Sequence, residues 1–367
     1  MIDSSRRAIL ASLGAGMMLS GMSGSAATRP ARKIGYAIVG LGSYATRQIM
    51  PNFARCDHAR LVALVSGTPA KLDQYGADYG IPRTHRYSYA DFDRIRDNPD
   101  IDIVYVVLPN SLHAEYSIRA AQAGKHVMCE KPMAVSVAEC EAMIAACRKA
   151  GTKLMIGYRS RFEPYNRLAI DLARAGHVGR TQIITADHGF PIRPDQWRLD
   201  RLLSGGGSMM DIGIYSLNAA RYLSGEEPVE VTAVEATDRS DPRFHTVEDK
   251  INFLLRFPSG IIANCVSSYS SSHNGYRVSG TQGWIDMEPA TSYAGQVMTI
   301  RKDGVTAPRT LPAPAKNQFA GQLDHMAECI ISGATPIVAG EEGLADLRVI
   351  EAIYRSAADG RSIRMSA

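Results

Sequence analysis

The sequence predicts an α/β protein: a Rossmann domain with a doubly wound parallel sheet, then an α+β domain with a large open, mainly antiparallel sheet. Three observations carry that expectation. Short apolar runs alternate with helical segments over residues 33–157. A glycine-rich turn closes the first of these runs. Beyond Tyr158 the texture changes to regularly spaced strands and turns.

Taken in order, the apolar run 33–39 predicts a buried strand that ends in Gly40-Leu41-Gly42, and a helix follows over 45–54. A second strand is expected over 61–65 and a second helix over 71–79. "IDIVYVVLPN" reads as a third strand stopped by Pro109, followed by a helix over 114–123. Strand "KHVMCE", helix 137–150 and strand "KLMIGY" complete the alternation. After a helix over 164–175 and a strand over 181–187, the turn "SGGGSMMDIGIY" opens another helix. The segments "EVTAVEA", "DKINFLLRF", "GIIANCVSSYS", "GYRVSG" and "GWIDME" then predict the antiparallel sheet. Two amphipathic helices, 318–332 and 342–358, close the chain, and one of them is free to pack back on the first domain. The expected division is 33–157 for dinucleotide binding and 158–367 for substrate binding and oligomerisation.

Composition narrows the function classes. With 367 residues, 45% hydrophobic and 21% charged, the chain is long enough for two cores. A formal net charge of +4 is too small for a nucleic-acid surface or a polybasic membrane surface. Six cysteines show no C-x-x-C pair and no Cys/His pattern with zinc-site spacing, so no metal site is expected. The first residues, with Arg6-Arg7, a mildly apolar stretch and small residues up to Ala27, read as a twin-arginine export leader over 1–27. Residues 28–32 form a short arm, and the expected location is the periplasm.

Gly40-Leu41-Gly42-Ser43-Tyr44-Ala45 fits G-x-G-x-x-A between a strand and a helix. Gly40 makes the tight turn, Gly42 lets pyrophosphate approach, and Ala45 lets the helix pack on the sheet. At the end of the second strand an acidic residue would accept from a ribose 2′-hydroxyl and repel a 2′-phosphate. Ser66, Gly67 and, one turn on, Lys71 stand there instead. A hydroxyl, backbone N–H groups and an ammonium suit a dianion, so the expected cofactor is NADP. The plainer reading of Lys71 is a solvated helix lysine.

Three further stretches, "LPNSLH", "CEKPM" and "GGGSMMDIGIY", together with the fingerprint, resemble the Gfo/Idh/MocA oxidoreductase family. Within it the likeness is to the glucose–fructose and aldose–aldose oxidoreductase subgroup, over nearly all of the chain after Lys33. That resemblance implies a tightly bound NADP, reduced by one aldose at C1 and re-oxidised by a second sugar. It places Leu108, Pro109 and Asn110 at the cofactor, Tyr158 and Arg159 by nicotinamide and substrate, and Trp197 and Arg198 in a segment that reaches the cofactor. The subgroup carries a longer proline-rich arm that embraces a neighbouring subunit. The short arm here makes a homodimer through the open sheet face the expectation, with a tetramer as the other possibility.

The residues themselves support sugar oxidation. Hydride leaves C1 only as the C1 hydroxyl loses its proton, so a proton acceptor must lie beside that oxygen. Lys131 sits at a strand end on the ligand side of the sheet, directed by Pro132, and its ammonium stabilises a developing negative charge. Asp211 and Tyr215, four apart at a helix start, face one side. Tyr215 is the expected proton-transfer residue, where many family members carry histidine. Asp211 orients sugar hydroxyls or Lys131, and Glu130 anchors Lys131 or a cofactor ribose. His113 reads either as a structural histidine or as a contact to nicotinamide or sugar. Tyr276 is a candidate sugar contact and Tyr293 a candidate cofactor contact. Two further functions stay open: a conventional NADP-dependent aldose or dihydrodiol dehydrogenase with exchangeable cofactor, and a non-catalytic sugar or nucleotide sensor.

Overall fold

The computed structural model describes residues 32–312 and 316–365. The expected export leader and residues 28–31 of the arm lie outside the described residues. From Lys33 onward the chain packs as one compact unit containing two sheets.

The first sheet holds β1 (Ile34–Val39), β2 (Ala59–Val65), β3 (Arg86–Tyr87), β4 (Ile103–Val106), β5 (His126–Glu130) and β6 (Leu154–Gly157). All its pairs are parallel, in the order β3-β2-β1-β4-β5-β6. Strand β1 is buried along its whole length, which is why it reads as an unbroken apolar run rather than an alternating one. Helices α1 (Pro69–Asp78), α2 (His113–Gln122) and α3 (Val137–Ala150) connect successive strands. After β1 the chain winds outward to β2 and β3, then returns to place β4 on the other side of β1. That reversal opens a crevice above the carboxyl ends of β1 and β4, the usual ligand position in such sheets.

The second sheet has nine strands, with β7 (Thr181–Gly189) at its middle. Helix α4 (Pro164–Arg174) leads into it, and α5 (Arg201–Ser204) and α6 (Ile214–Ser224) follow it. The other strands are β8 (Glu230–Ala236), β9 (Lys250–Arg256), β10 (Ile262–Ser268), β11 (His273–Gly280), β12 (Gly283–Met287), β13 (Met298–Lys302), β14 (Val305–Arg309) and β15 (Ile363–Arg364). One pair departs from the antiparallel expectation: β10 runs parallel to β7, because α6, β8 and β9 carry the chain round before it returns beside β7. One face of this sheet packs on α6, and the other presents Ile183, Leu254 and Ile262 to solvent, each 44–45% exposed. Ile183 and Ile262 stand side by side in register.

Helices α7 (Gln318–Ser332) and α8 (Gly340–Asp359) return to the first sheet, α7 against β2 and α8 against α3 and β6. The Asp324 carboxylate on α7 accepts from the N–H groups of Asp57, His58 and Ala59 at 2.8, 2.8 and 3.1 Å, fastening the helix to the start of β2. Lys316 pairs with the same carboxylate. Among the described residues, no helix is long and apolar enough to cross a membrane.

Candidate active site

A cleft of about 1010 Å³ opens at the β1/β4 reversal and runs between the two sheets. Its floor is the glycine turn. Gly40 has φ +97°, and a Cβ there would lie 2.3 Å from the Val107 carbonyl oxygen, so only glycine fits. A Cβ on Gly42 would meet nothing within 4 Å, which leaves the backbone open to a ligand. Leu41, Ser43 and Tyr44 line the same floor, and Ala45 is fully buried against the sheet. The helix begins with a wide π turn, Ala45–Ile49.

At the end of β2 the cleft is walled by Ser66, Gly67, Thr68 and Lys71. The Ser66 hydroxyl accepts from the Thr68 N–H at 3.2 Å, and Lys71 Nζ donates to the Leu41 carbonyl at 3.0 Å. Lys71, an exposed residue, thus reaches its ammonium back to the glycine turn. The residues fit a dinucleotide: an open glycine floor, a helix start beneath it, and a hydroxyl–ammonium pair with no carboxylate where the ribose 2′ position would lie. Leu108, Pro109 and Asn110 form the β4 side, and Asn110 is held by its amide donating to the Ser204 carbonyl at 2.8 Å.

Further along the cleft, the end of β5 delivers Glu130 and Lys131. Glu130 is buried and accepts from the Tyr105 hydroxyl; burial pushes its carboxyl pKa up, against the pull of Tyr105 and Lys131. Lys131 Nζ donates to the backbone carbonyl of Asp211 at 2.5 Å and to its Oδ1 at 3.2 Å. Asp211 lies in a second π turn, Met209–Gly213, whose wider coil keeps residues four apart, Asp211 and Tyr215, on one side. Asp211 Oδ2 takes Arg198 Nε at 3.0 Å and the Tyr269 hydroxyl at 3.1 Å. Burial opposes ionisation of this carboxyl, but Arg198 and Lys131 outweigh it and hold the pKa at about 2.

Tyr215 sits between two cations, with Lys131 Nζ and Arg159 Cζ each 5.1 Å from its ring centre. Arg159 is itself locked, donating to Gln318 Oε1 and to the Thr291 carbonyl, both at 2.6 Å, with Tyr293 4.8 Å away on its other side. Trp197 and Arg198 come from the turn Trp197–Leu199 and stack on each other at 4.6 Å.

The turn before Asp211 shows why the sequence spends three glycines there. The buried Glu248 carboxylate accepts from Gly207 N–H at 2.8 Å and Met209 N–H at 3.0 Å, and Tyr354 donates to it at 2.9 Å. A Cβ on Gly207 would lie 2.1 Å from the Glu248 backbone oxygen. Gly207→Ala is therefore expected to cost about 1–3 kcal/mol or more, read as a lowered Tm, with activity falling as Asp211 moves.

Three expected ligand contacts need correcting. His113 is the first residue of α2 and is fully buried, its Nδ1 2.8 Å from the Pro132 carbonyl oxygen and its Nε2 2.9 Å from that of Leu108. It ties two strand ends together and does not line the cleft; burial draws its pKa down against those two carbonyls. Tyr158 and Arg159 both lie beyond the end of β6, Arg159 opening the short turn Arg159–Phe162; Arg159 lines the cleft and Tyr158 does not. Tyr158 and Tyr276 instead line a separate cavity of about 30 Å³ behind Tyr215, where the Tyr276 hydroxyl donates to Asn166 Oδ1 at 2.9 Å.

Sequence reasoning also missed residues. Tyr269 and Gln318 lie 58 and 159 positions from the groups they bond, and no spacing rule joins them. Thr68, the residue before α1, was legible as a hydroxyl at a helix start beside Ser66. Tyr89, Phe190, Pro191, Ile192, Arg193 and Gln196 complete the walls.

Comparison with known proteins bears on the family. Residues 34–158 match the oxidoreductase family with NAD-binding Rossmann fold, and residues 167–286 match the GFO/IDH/MocA C-terminal domain. The chain belongs to the Gfo/Idh/MocA oxidoreductase family. Among similar proteins, the D-xylose 1-dehydrogenase [NADP(+)] of Haloarcula marismortui is 32% identical over 90% of this chain and 92% of its own. The 1,5-anhydro-D-fructose reductase of Ensifer adhaerens is 28% identical over 89% and 97%. The crystal structure of aldose–aldose oxidoreductase from Caulobacter crescentus complexed with glycerol shares 67% identity, with a TM-score of 0.90 over 91% of this chain and all of that one.

Proposed function

We propose that this Gfo/Idh/MocA protein is an NADP-dependent sugar oxidoreductase that oxidises an aldose at C1 to the lactone and reduces a second sugar to the alditol in a ping-pong cycle. One observation carries the reading: Lys131, Asp211 and Tyr215 converge in the cleft that holds the glycine turn. The 67% identity to an aldose–aldose oxidoreductase and the 32% identity to an NADP-dependent xylose dehydrogenase support the substrate class. Bound NADP supplies the hydride acceptor for the first sugar and the donor for the second.

The chain's own residues do the rest. Gly40, Gly42 and Ser43 would cradle the pyrophosphate, and Ser66, Thr68 and Lys71 would hold the 2′-phosphate. Lys131, aimed by Asp211, donates to the C1 oxygen and stabilises the charge that grows there as hydride departs. Tyr215, as the phenolate beside the Lys131 and Arg159 cations, accepts the C1 hydroxyl proton in the first half and, as the phenol so formed, returns it to the carbonyl oxygen of the second sugar. Trp197 and Phe190 present aromatic faces for the sugar ring.

The preference for NADP has its own test. Lys71→Ala removes a charge-assisted bond of about 1.5–3 kcal/mol, so NADP affinity is expected to fall about 10- to 100-fold while NAD affinity changes little. Ser66→Asp is expected to reverse the preference, measured by fluorescence titration with each dinucleotide. Equal losses for both would contradict the 2′-phosphate site.

Residues 1–27 support export already folded, which favours a retained cofactor, and the six free cysteines are all buried. Dialysed protein that keeps its nucleotide, is reduced by an aldose and is re-oxidised by a second sugar would uphold the cycle. Protein that loses nucleotide on dialysis and turns over only with added NADP would make it a conventional dehydrogenase. The exposed Ile183, Leu254 and Ile262 face is the proposed dimer surface, tested by sedimentation of Ile262→Lys.

A further inference from the structure

Asp211 is divided between two cations. Lys131 takes the backbone oxygen and Oδ1, while Arg198 takes Oδ2 at 3.0 Å. The two approach from different parts of the chain, Lys131 from the end of β5 and Arg198 from the turn Trp197–Leu199. The guanidinium of Arg198 also lies over the Trp197 ring, 4.6 Å from its centre. Among the described residues, two phenols also face the carboxylate, Tyr269 from beyond β10 at 3.1 Å and Tyr293 from the loop before β13, and Tyr215 on the following helix lines the same cleft.

We propose that Arg198 is a positioning residue for Lys131, holding the Asp211 carboxylate ionised and turned so that the lysine ammonium keeps its aim at the sugar's C1 oxygen, and thereby setting the acid limit of turnover. The inference rests on the role of Lys131 given above. Its physical basis is a balance. The side chain of Asp211 is only 16% exposed, and burial alone favours the neutral acid. The Arg198 charge is the largest force acting against that burial, ahead of Lys131. With both cations present the carboxylate survives down to a pH of about 2. Take Arg198 away and Lys131 alone must offset the same desolvation, so the carboxyl protonates at a higher pH. A neutral Asp211 no longer attracts the ammonium, and Lys131 loses its side-chain anchor while keeping the carbonyl one.

The test compares full-length Arg198→Ala, Arg198→Met and Arg198→Lys with the wild type. The first readout is the carboxyl carbon resonance of Asp211, assigned through Asp211→Asn and followed against pH without substrate. Its midpoint is expected to rise by about 1–3 pH units in the Ala and Met proteins and to return toward the wild-type value in the Lys protein. The second readout is the pH profile of aldose oxidation, whose acid limb is expected to move up with that midpoint, with kcat lowered more than the sugar KM is raised. An unmoved midpoint in Arg198→Ala overturns the proposal. So does loss of NADP affinity or of sugar KM alone, which would make Arg198 a plain ligand contact. A shifted midpoint in a protein whose wild type oxidises no sugar would uphold the electrostatic role of Arg198 and overturn the proposed function instead.

Discussion

Lys131→Met is expected to lower kcat for aldose oxidation about 10³-fold or more, with NADP affinity little changed. Methionine keeps the length of the stem and removes only the ammonium. General acid–base and charge-stabilising groups are each worth about 10²–10³ or more in rate, and Lys131 serves the reacting oxygen directly. The fold has reason to survive: Asp211 keeps Arg198 at 3.0 Å and the Tyr269 hydroxyl at 3.1 Å, so its charge is not stranded. Steady-state kinetics beside a thermal melt and a dinucleotide titration separate these effects. Turnover within tenfold of the wild type would show that the reacting oxygen lies elsewhere.

The second large effect belongs to Tyr215→Phe, where kcat is expected to fall about 10²- to 10⁴-fold at nearly constant KM. The ring would remain, with its contacts to Lys131, to Arg159 and to His188, whose ring centre lies 5.9 Å away. Only the hydroxyl is lost, so a large drop assigns the proton to that atom. Tyr215→His restores a proton-transfer group of the kind many family members carry at this place, and part of the rate is expected to return. If Tyr215→Phe keeps wild-type turnover, Tyr215 packs the site without serving the chemistry.

How far the sequence revealed this site depends on how local each signal is. The glycine turn, Ser66 and Lys71 are read from one βαβ unit, because strand, turn and helix follow one another in the chain. Lys131 was legible for the same reason, as the residue that follows the end of a parallel strand. Asp211 and Tyr215 share one helical turn, so spacing alone placed them together. His113 was misplaced because position after a strand says where a residue stands and nothing about where its ring turns; α2 begins at His113 and folds the imidazole back between two strand ends. Tyr158 failed because the chain turns just past β6, and its neighbour Arg159, which opens the turn Arg159–Phe162, took the cleft side. Tyr269, Gln318 and Glu248 were invisible because sheet pairing and helix return bring them in from far along the chain. The parallel β7–β10 pair escaped for the same reason, as strand spacing carries no direction.

A labelled-sugar experiment bears most directly on the central claim, that one cleft carries hydride from the C1 of one sugar to another. Dialysed protein is given an aldose deuterated at C1 together with an unlabelled second sugar, and the alditol is analysed by mass spectrometry and NMR. The account predicts alditol carrying deuterium at the carbon that was its carbonyl, with no loss of label to water. Alditol free of deuterium, formed while the labelled aldose is consumed, would contradict it.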